Sequence, residues 1–223
     1  MNTKTWAVLC CSLCASLPAL AQEDERMYQP WVFRFDLGGN IPQDPKLKLY
    51  DGPVTGGDSL DLGAGIQMDL SAGYRLTRWL SVEAEMGISG NEVKAVGNWS
   101  YPDSYLSQLA LMANLVIERP DGRLIPYAGI GAGGVFSSLS FGNSYYYYYS
   151  TSDGYGTDFA AAAQAFGGLR YRLTKQASLG VMYRFVVMDD QKWNIDWWNG
   201  ADFTVSAGST AIHSIALAYS YSF

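Results

Sequence analysis

From about residue 30 onward the chain alternates apolar and polar positions with a period of two. The longest run places Leu60, Leu62, Ala64, Ile66, Met68, Leu70, Ala72, Tyr74 and Leu76 at one parity. Asp61, Gly63, Gly65, Gln67, Asp69, Ser71, Gly73 and Arg75 hold the other. Side chains i and i+2 share one face of a strand, so the segment predicts a β-strand with one apolar face and one polar or small face. It is longer than most soluble strands and suits a tilted membrane crossing.

The pattern recurs in Leu80, Val82, Ala84, Met86 and Ile88, and again in Leu179, Val181, Tyr183, Phe185 and Val187. It closes the chain with Ile215, Leu217, Tyr219, Tyr221 and Phe223, and opens it with Trp31, Phe33, Phe35 and Leu37. No apolar-face position in these runs is charged. Segments 105–118, 126–137 and 158–173 alternate less cleanly. A helix competes over Ala160–Ala163, but Gly167, Gly168 and the strand-like tail disfavour it.

The reading gives eight strands whose connections alternate in length. Short ones lie at Thr77-Arg78, Arg119-Pro120-Asp121-Gly122 and Thr174-Lys175-Gln176, and long ones cover 40–59, 90–104, 138–157 and 189–209. Both termini fall on the short side. The predicted fold class is therefore all-β, an eight-stranded antiparallel up-and-down transmembrane β-barrel. A soluble sandwich or lipocalin-like barrel would turn the apolar faces inward. Against it, glycine and alanine crowd the polar face, as a narrow lumen requires. Trp31, Tyr74, Tyr171, Tyr221 and Phe223 also sit near strand ends, as interfacial girdles do.

Composition sharpens this picture. The 223 residues are 48% hydrophobic and only 16% charged, too apolar for a disordered chain. A net charge of −6 argues against a nucleic-acid partner, which needs a basic face. One histidine and three cysteines leave almost nothing for a metal site or a thiol enzyme, and no cofactor or metal is expected. All three cysteines, Cys10, Cys11 and Cys14, lie in a segment with the three parts of a secretory signal: Lys4, an apolar core from Trp6 to Leu17, and Ala19-Leu20-Ala21. That core is shorter than the ~20 residues a spanning helix needs. Leu13 before Cys14 and Cys10 before Cys11 are not the small residues that lipid attachment requires. Residues 1–21 are thus expected to be removed after Ala21, leaving a cysteine-free barrel domain over 22–223 with 14 basic and 21 acidic side chains.

Three phrases carry a family resemblance: Gly73-Tyr74-Arg75-Leu76-Thr77 with Leu80-Ser81-Val82-Glu83, Asn114-Leu115 with Pro126-Tyr127-Ala128-Gly129-Ile130-Gly131, and the terminal Tyr219-Ser220-Tyr221-Ser222-Phe223. Essentially the whole mature chain resembles the small eight-stranded outer-membrane barrels, the opacity-protein-like, OmpA-transmembrane-domain-like and OmpW-like porin proteins. The resemblance implies an outer membrane of a Gram-negative-type bacterium, with its lipid and lipopolysaccharide as surroundings. It also implies that the outer-membrane assembly machinery reads Tyr219, Tyr221 and Phe223. No peptidoglycan-binding domain is expected after Phe223. The family includes adhesins, invasins and structural barrels, so it specifies role poorly. A weaker internal echo, Tyr74-Arg75-Leu76-Thr77-Arg78 against Tyr171-Arg172-Leu173-Thr174-Lys175, reads as one turn chemistry used twice.

Candidate chemistry is sparse. His213 and Ser214 are neighbours on a strand and point to opposite faces, so they form no nucleophile–base pair. Ser209 shares the parity of His213 but lies in a predicted loop, and Asp189-Asp190 are too few acids for an aspartyl-type protease. Arg34, Asp36, Asp69, Glu83, Glu85, Arg170 and Arg184 all fall on the lumen face. Both signs are present, and a barrel of this size is just wide enough to be filled by side chains, so they predict a salt-bridged plug. The loops hold Tyr145, Tyr146, Tyr147, Tyr148 and Tyr149, then Trp193, Trp197 and Trp198, with Trp99, Tyr101 and Tyr105 earlier. Tyrosine and tryptophan among serine, glycine and asparagine suit a recognition surface for a host glycan or protein, while girdle positions on extended strands are the competing assignment. Asn98-Trp99-Ser100 matches a glycosylation acceptor that this cell type would not use. The expectation is a non-enzymatic barrel with a structural or adhesin-like role. A small ion or solute channel is the first alternative, and an outer-membrane lipid-modifying enzyme the second.

Overall fold

The computed structural model describes residues 29–50, 59–100, 103–142, 154–196 and 203–223, and every regular element among them is a strand. Eight form the barrel wall: β1 (Trp31–Pro42), β3 (Leu60–Arg75), β4 (Leu80–Val96), β6 (Tyr105–Glu118), β7 (Leu124–Phe141), β8 (Gly154–Arg172), β9 (Ala177–Met188) and β12 (Thr210–Ser222). Neighbours in sequence pair antiparallel around the ring, and β1 closes it by pairing with β12. The Ala160–Ala163 stretch is strand, within β8.

The faces fall as the alternation requires. Ile66 is 75% exposed, Ile215 68% and Leu217 60%, whereas Arg34 and Glu83, on the opposite parity, are buried. A chain folded this way in water would expose its apolar side and bury its charges. That inversion is the signature of a wall facing lipid, where every backbone group must be paired within the sheet. Trp31, Tyr74, Tyr171 and Tyr221 lie outward at the short-turn end, with Trp31 and Tyr74 in edge contact at 5.2 Å.

The echoed turns share one geometry. Thr77 Oγ1 accepts from the amides of Trp79 and Leu80, and Thr174 Oγ1 accepts from those of Gln176 and Ala177. Leu76 and Thr77 both donate to the Leu80 carbonyl, as Leu173 and Thr174 do to that of Ala177. The third turn reverses at Gly122, whose φ of 92° favours glycine.

Two expectations need correction. First, the apolar parity of β3 does not run unbroken from Leu60. The register shifts between Leu62 and Gly65, and this irregularity turns Leu60 fully inward. Second, the long connections carry strands. β4 continues to Val96, β7 to Phe141, and β8 begins at Gly154. Beyond the wall, β5 (Trp99–Ser100) pairs with β4, while β2 (Leu47–Tyr50), β10 (Gln191–Ile195) and β11 (Phe203–Ala207) form a sheet in the order β10-β11-β2. This second sheet lies at the long-loop end of the barrel.

Candidate functional site

The lumen is filled in three tiers. At mid-depth Arg184 of β9 sits among three carboxylates. Its Nη1 lies 2.9 Å from Asp69 Oδ1 and 3.0 Å from Glu85 Oε1, and its Nη2 lies 3.9 Å from Asp36 Oδ2. Amides complete the shell: Gln67 donates to Asp69 at 3.0 Å, Asn114 to Glu85 at 2.9 Å, and Gln164 to both Glu85 and Asn114. Small residues make room for them. A Cβ on Gly131 would stand 1.9 Å from Asn114 Oδ1.

The tier at the short-turn end is built on Glu118. Its Oε1 accepts from Arg75 Nε and Nη2, and its Oε2 accepts from Arg170 Nη2 and lies 3.6 Å from Arg34. Arg34 also meets Glu83 at 2.9 Å. The Tyr127 ring meets two guanidiniums, 4.2 Å from that of Arg170 and 5.3 Å from that of Arg34. All seven predicted lumen charges are therefore inside and paired, but in two separate groups, with Glu83 belonging to Arg34 rather than to Arg184. The sequence reading missed Glu118, Arg75 and Tyr127. Each carried the signal of correct parity, Glu118 with Gln108 and Asn114 on β6, yet stood at a strand end.

The tier at the long-loop end is apolar. Leu60, Val93, Leu106, Leu139 and Phe141 of the wall pack with Trp193, Ile195, Phe203 and Val205 of β10 and β11. Trp193 is 0% exposed and its indole N–H donates to Ser137 Oγ at 2.9 Å, which Gln191 also reaches. This corrects the placement of Trp193 on a recognition surface: Gln191, Trp193 and Ile195 share the buried face of β10 and close the mouth. Changing Trp193 to Phe keeps a ring but removes the N–H and some volume. A loss of about 1–2 kcal/mol is expected, read as a lower urea midpoint. An exposed tryptophan would give no change. Tyr145–Tyr149, Trp197, Trp198 and Tyr101 lie outside the described residues, and Tyr105 is an outward position on β6.

Outside the rim, Lys48 of β2 pairs with Asp190 between β9 and β10. The hydrogen bond from that ammonium holds the exposed Asp190 carboxyl below the usual carboxylate range. The contact is therefore present at neutral pH and is lost as pH falls through that lowered value. His213 faces outward with Nδ1 2.6 Å from Tyr183 Oη and Nε2 3.0 Å from Gln43 Nε2, while Ser214 is buried in the lumen. Ser209 follows Gly208 in irregular chain before β12. Among the described residues, no nucleophile, base and acid converge.

Three solved structures share the fold. Neisserial surface protein A is 13% identical, with a TM-score of 0.56 over 86% of this chain and 97% of that one. The outer membrane protein OprG of Pseudomonas aeruginosa is 16% identical, with a TM-score of 0.53 over 89% and 99%. Outer membrane protein AlkL, solved in lipid bilayers, is 18% identical, with a TM-score of 0.53 over 91% and 94%. At such identities the likeness is one of fold. No match was found among curated protein sequences. A family model described as the outer membrane protein beta-barrel domain matches residues 7–223, and the chain belongs to that family of outer-membrane barrels.

Proposed function

We propose that this protein is a non-conducting, non-catalytic barrel that acts at its extracellular end, by structural presence and by recognition of a host glycan or protein. The observation that carries the reading is the filled lumen. With an ionic tier at each of two depths and an apolar tier closing the mouth, the surfaces free to meet a partner at the extracellular end are the wall and its loops. A rigid barrel holding long connections is a common arrangement for a function that buried strands cannot perform. The reading includes removal of residues 1–21 and delivery by the outer-membrane assembly machinery into a lipopolysaccharide-bearing membrane.

The recognition residues are Tyr145–Tyr149, Trp197 and Trp198, without Trp193. The test is a glycan array and a host-surface binding assay on the wild type and on a barrel trimmed at 51–58, 143–153 and 197–202. The trimming spares β10 and β11, which fill the mouth. Trp197→Ala and Trp198→Ala are each expected to weaken binding by ~2 kcal/mol while leaving heat-modifiable migration intact. If the wild type binds neither surface better than the trimmed barrel, the structural role stands alone. Step-wise single-channel currents in planar bilayers would replace this reading with a channel.

A further inference from the structure

The periplasmic end of the lumen is open where the extracellular end is closed. Below the Glu118 tier lies a cavity of ≈ 660 Å³, bounded by Gln29, the three short turns and the adjoining strand ends. Its cations are Arg75, Arg78, Arg123, Arg170, Arg172 and Lys175, and its carboxylates are Glu118 and Asp121. With Arg119 beside it and Arg34 in the Glu118 tier, this end gathers eight of the 15 basic residues in the sequence.

The two carboxylates do not balance these cations. Glu118 is already shared by Arg34, Arg75 and Arg170, and Asp121 faces Arg119 at 3.7 Å. Arg172 donates to the Pro120 carbonyl and Arg123 to the Tyr171 hydroxyl at 3.4 Å, both neutral acceptors. Arg78 and Lys175 have no ion-pair partner among the described residues. At the floor Arg170, only 1% exposed, is fixed by Glu118 and the Tyr127 ring, and its Nε has no hydrogen-bond partner among the described residues. A concave site with a surplus of one sign and low-dielectric walls concentrates the opposite charge, and guanidiniums match the oxygens of a phosphate in paired fashion.

We infer that this periplasmic vestibule binds a small phosphate-bearing anion. Its volume is that of a small-molecule site, and its floor is held rigid by the Glu118 network while Arg78, Arg123 and Lys175 ring the mouth. The proposal is independent of recognition at the opposite end.

The test uses the protein in phosphatidylcholine nanodiscs, titrated calorimetrically with pyrophosphate. Saturable binding is expected, weakened at least about tenfold in the triple variant R78Q/R123Q/K175Q, since charge-assisted bonds are being removed. K94Q/K192Q, which removes like charges at the extracellular end, is expected to leave the affinity unchanged. Heat-modifiable migration verifies that each variant is folded. Native mass spectrometry from nanodiscs containing phosphatidylglycerol separates the two sources of phosphate. A lipid retained by the wild type and lost from the triple variant assigns a headgroup, whereas pyrophosphate binding without lipid retention assigns a soluble anion. Neither ligand binding the wild type, or equal weakening by K94Q/K192Q, would overturn the inference.

Discussion

Replacing Arg184 with Glu is expected to cost the barrel ~3–5 kcal/mol or more, a large share of the ~5–15 kcal/mol that a native domain commands. In the wild type one guanidinium, 5% exposed, serves Asp36, Asp69 and Glu85. The substitution removes that cation and leaves four carboxylates in a narrow, water-poor space. The measurement is urea unfolding in detergent or vesicles, where the midpoint falls. The pairing also predicts which second change repairs the damage. R184E/E85R restores an opposite-charge contact at the same depth, whereas R184E/E83R does not, because Glu83 lies in the Arg34 group. An unchanged midpoint for R184E together with unchanged conductance would mean that these groups are solvated and act singly.

Deleting Phe223, or changing it to Asp, is expected to abolish insertion in cells and leave a periplasmic, protease-sensitive chain. The residue completes the seam: its amide donates to the Trp31 carbonyl and its carbonyl accepts from the Trp31 amide, both at 3.1 Å. Its ring stacks on Phe33 at 5.7 Å, on the outward face it shares with Leu217, Tyr219 and Tyr221. A charge this close to the membrane interface costs only about 0–1 kcal/mol, so the direct energetic penalty of Asp is small. A complete failure would therefore lie in reading of the closing strand by the assembly machinery. F223D protein refolded from urea into vesicles should still show heat-modifiable migration, while the same protein expressed in cells should not. Normal migration from cells would dismiss the terminal strand as a signal.

Much of this protein follows from a period of two. Alternation along Trp31–Leu37, Leu80–Ile88 and Ile215–Phe223 decides which side chains face lipid and which face the lumen, because successive side chains of a strand point to opposite faces whatever they pair with. The same logic placed all seven lumen charges inside, and the paired Leu-Thr turns marked the short-turn end. Parity alone is silent on register. Whether Glu83 meets Arg34 or Arg184 depends on how eight strands are staggered around a closed ring, and that stagger is settled only when the last strand finds the first. Parity also fails where one residue is displaced, as between Leu62 and Gly65, so that Leu60 turns into the lumen. Trp193 shows the same limit from the other side. Its five-residue strand is too short to declare itself, and its burial is created by β11 beside it and by the apolar upper wall beneath it. Local alternation fixed the faces. Closure of the ring fixed the partners, because burial and pairing belong to the assembled surface and not to the segment.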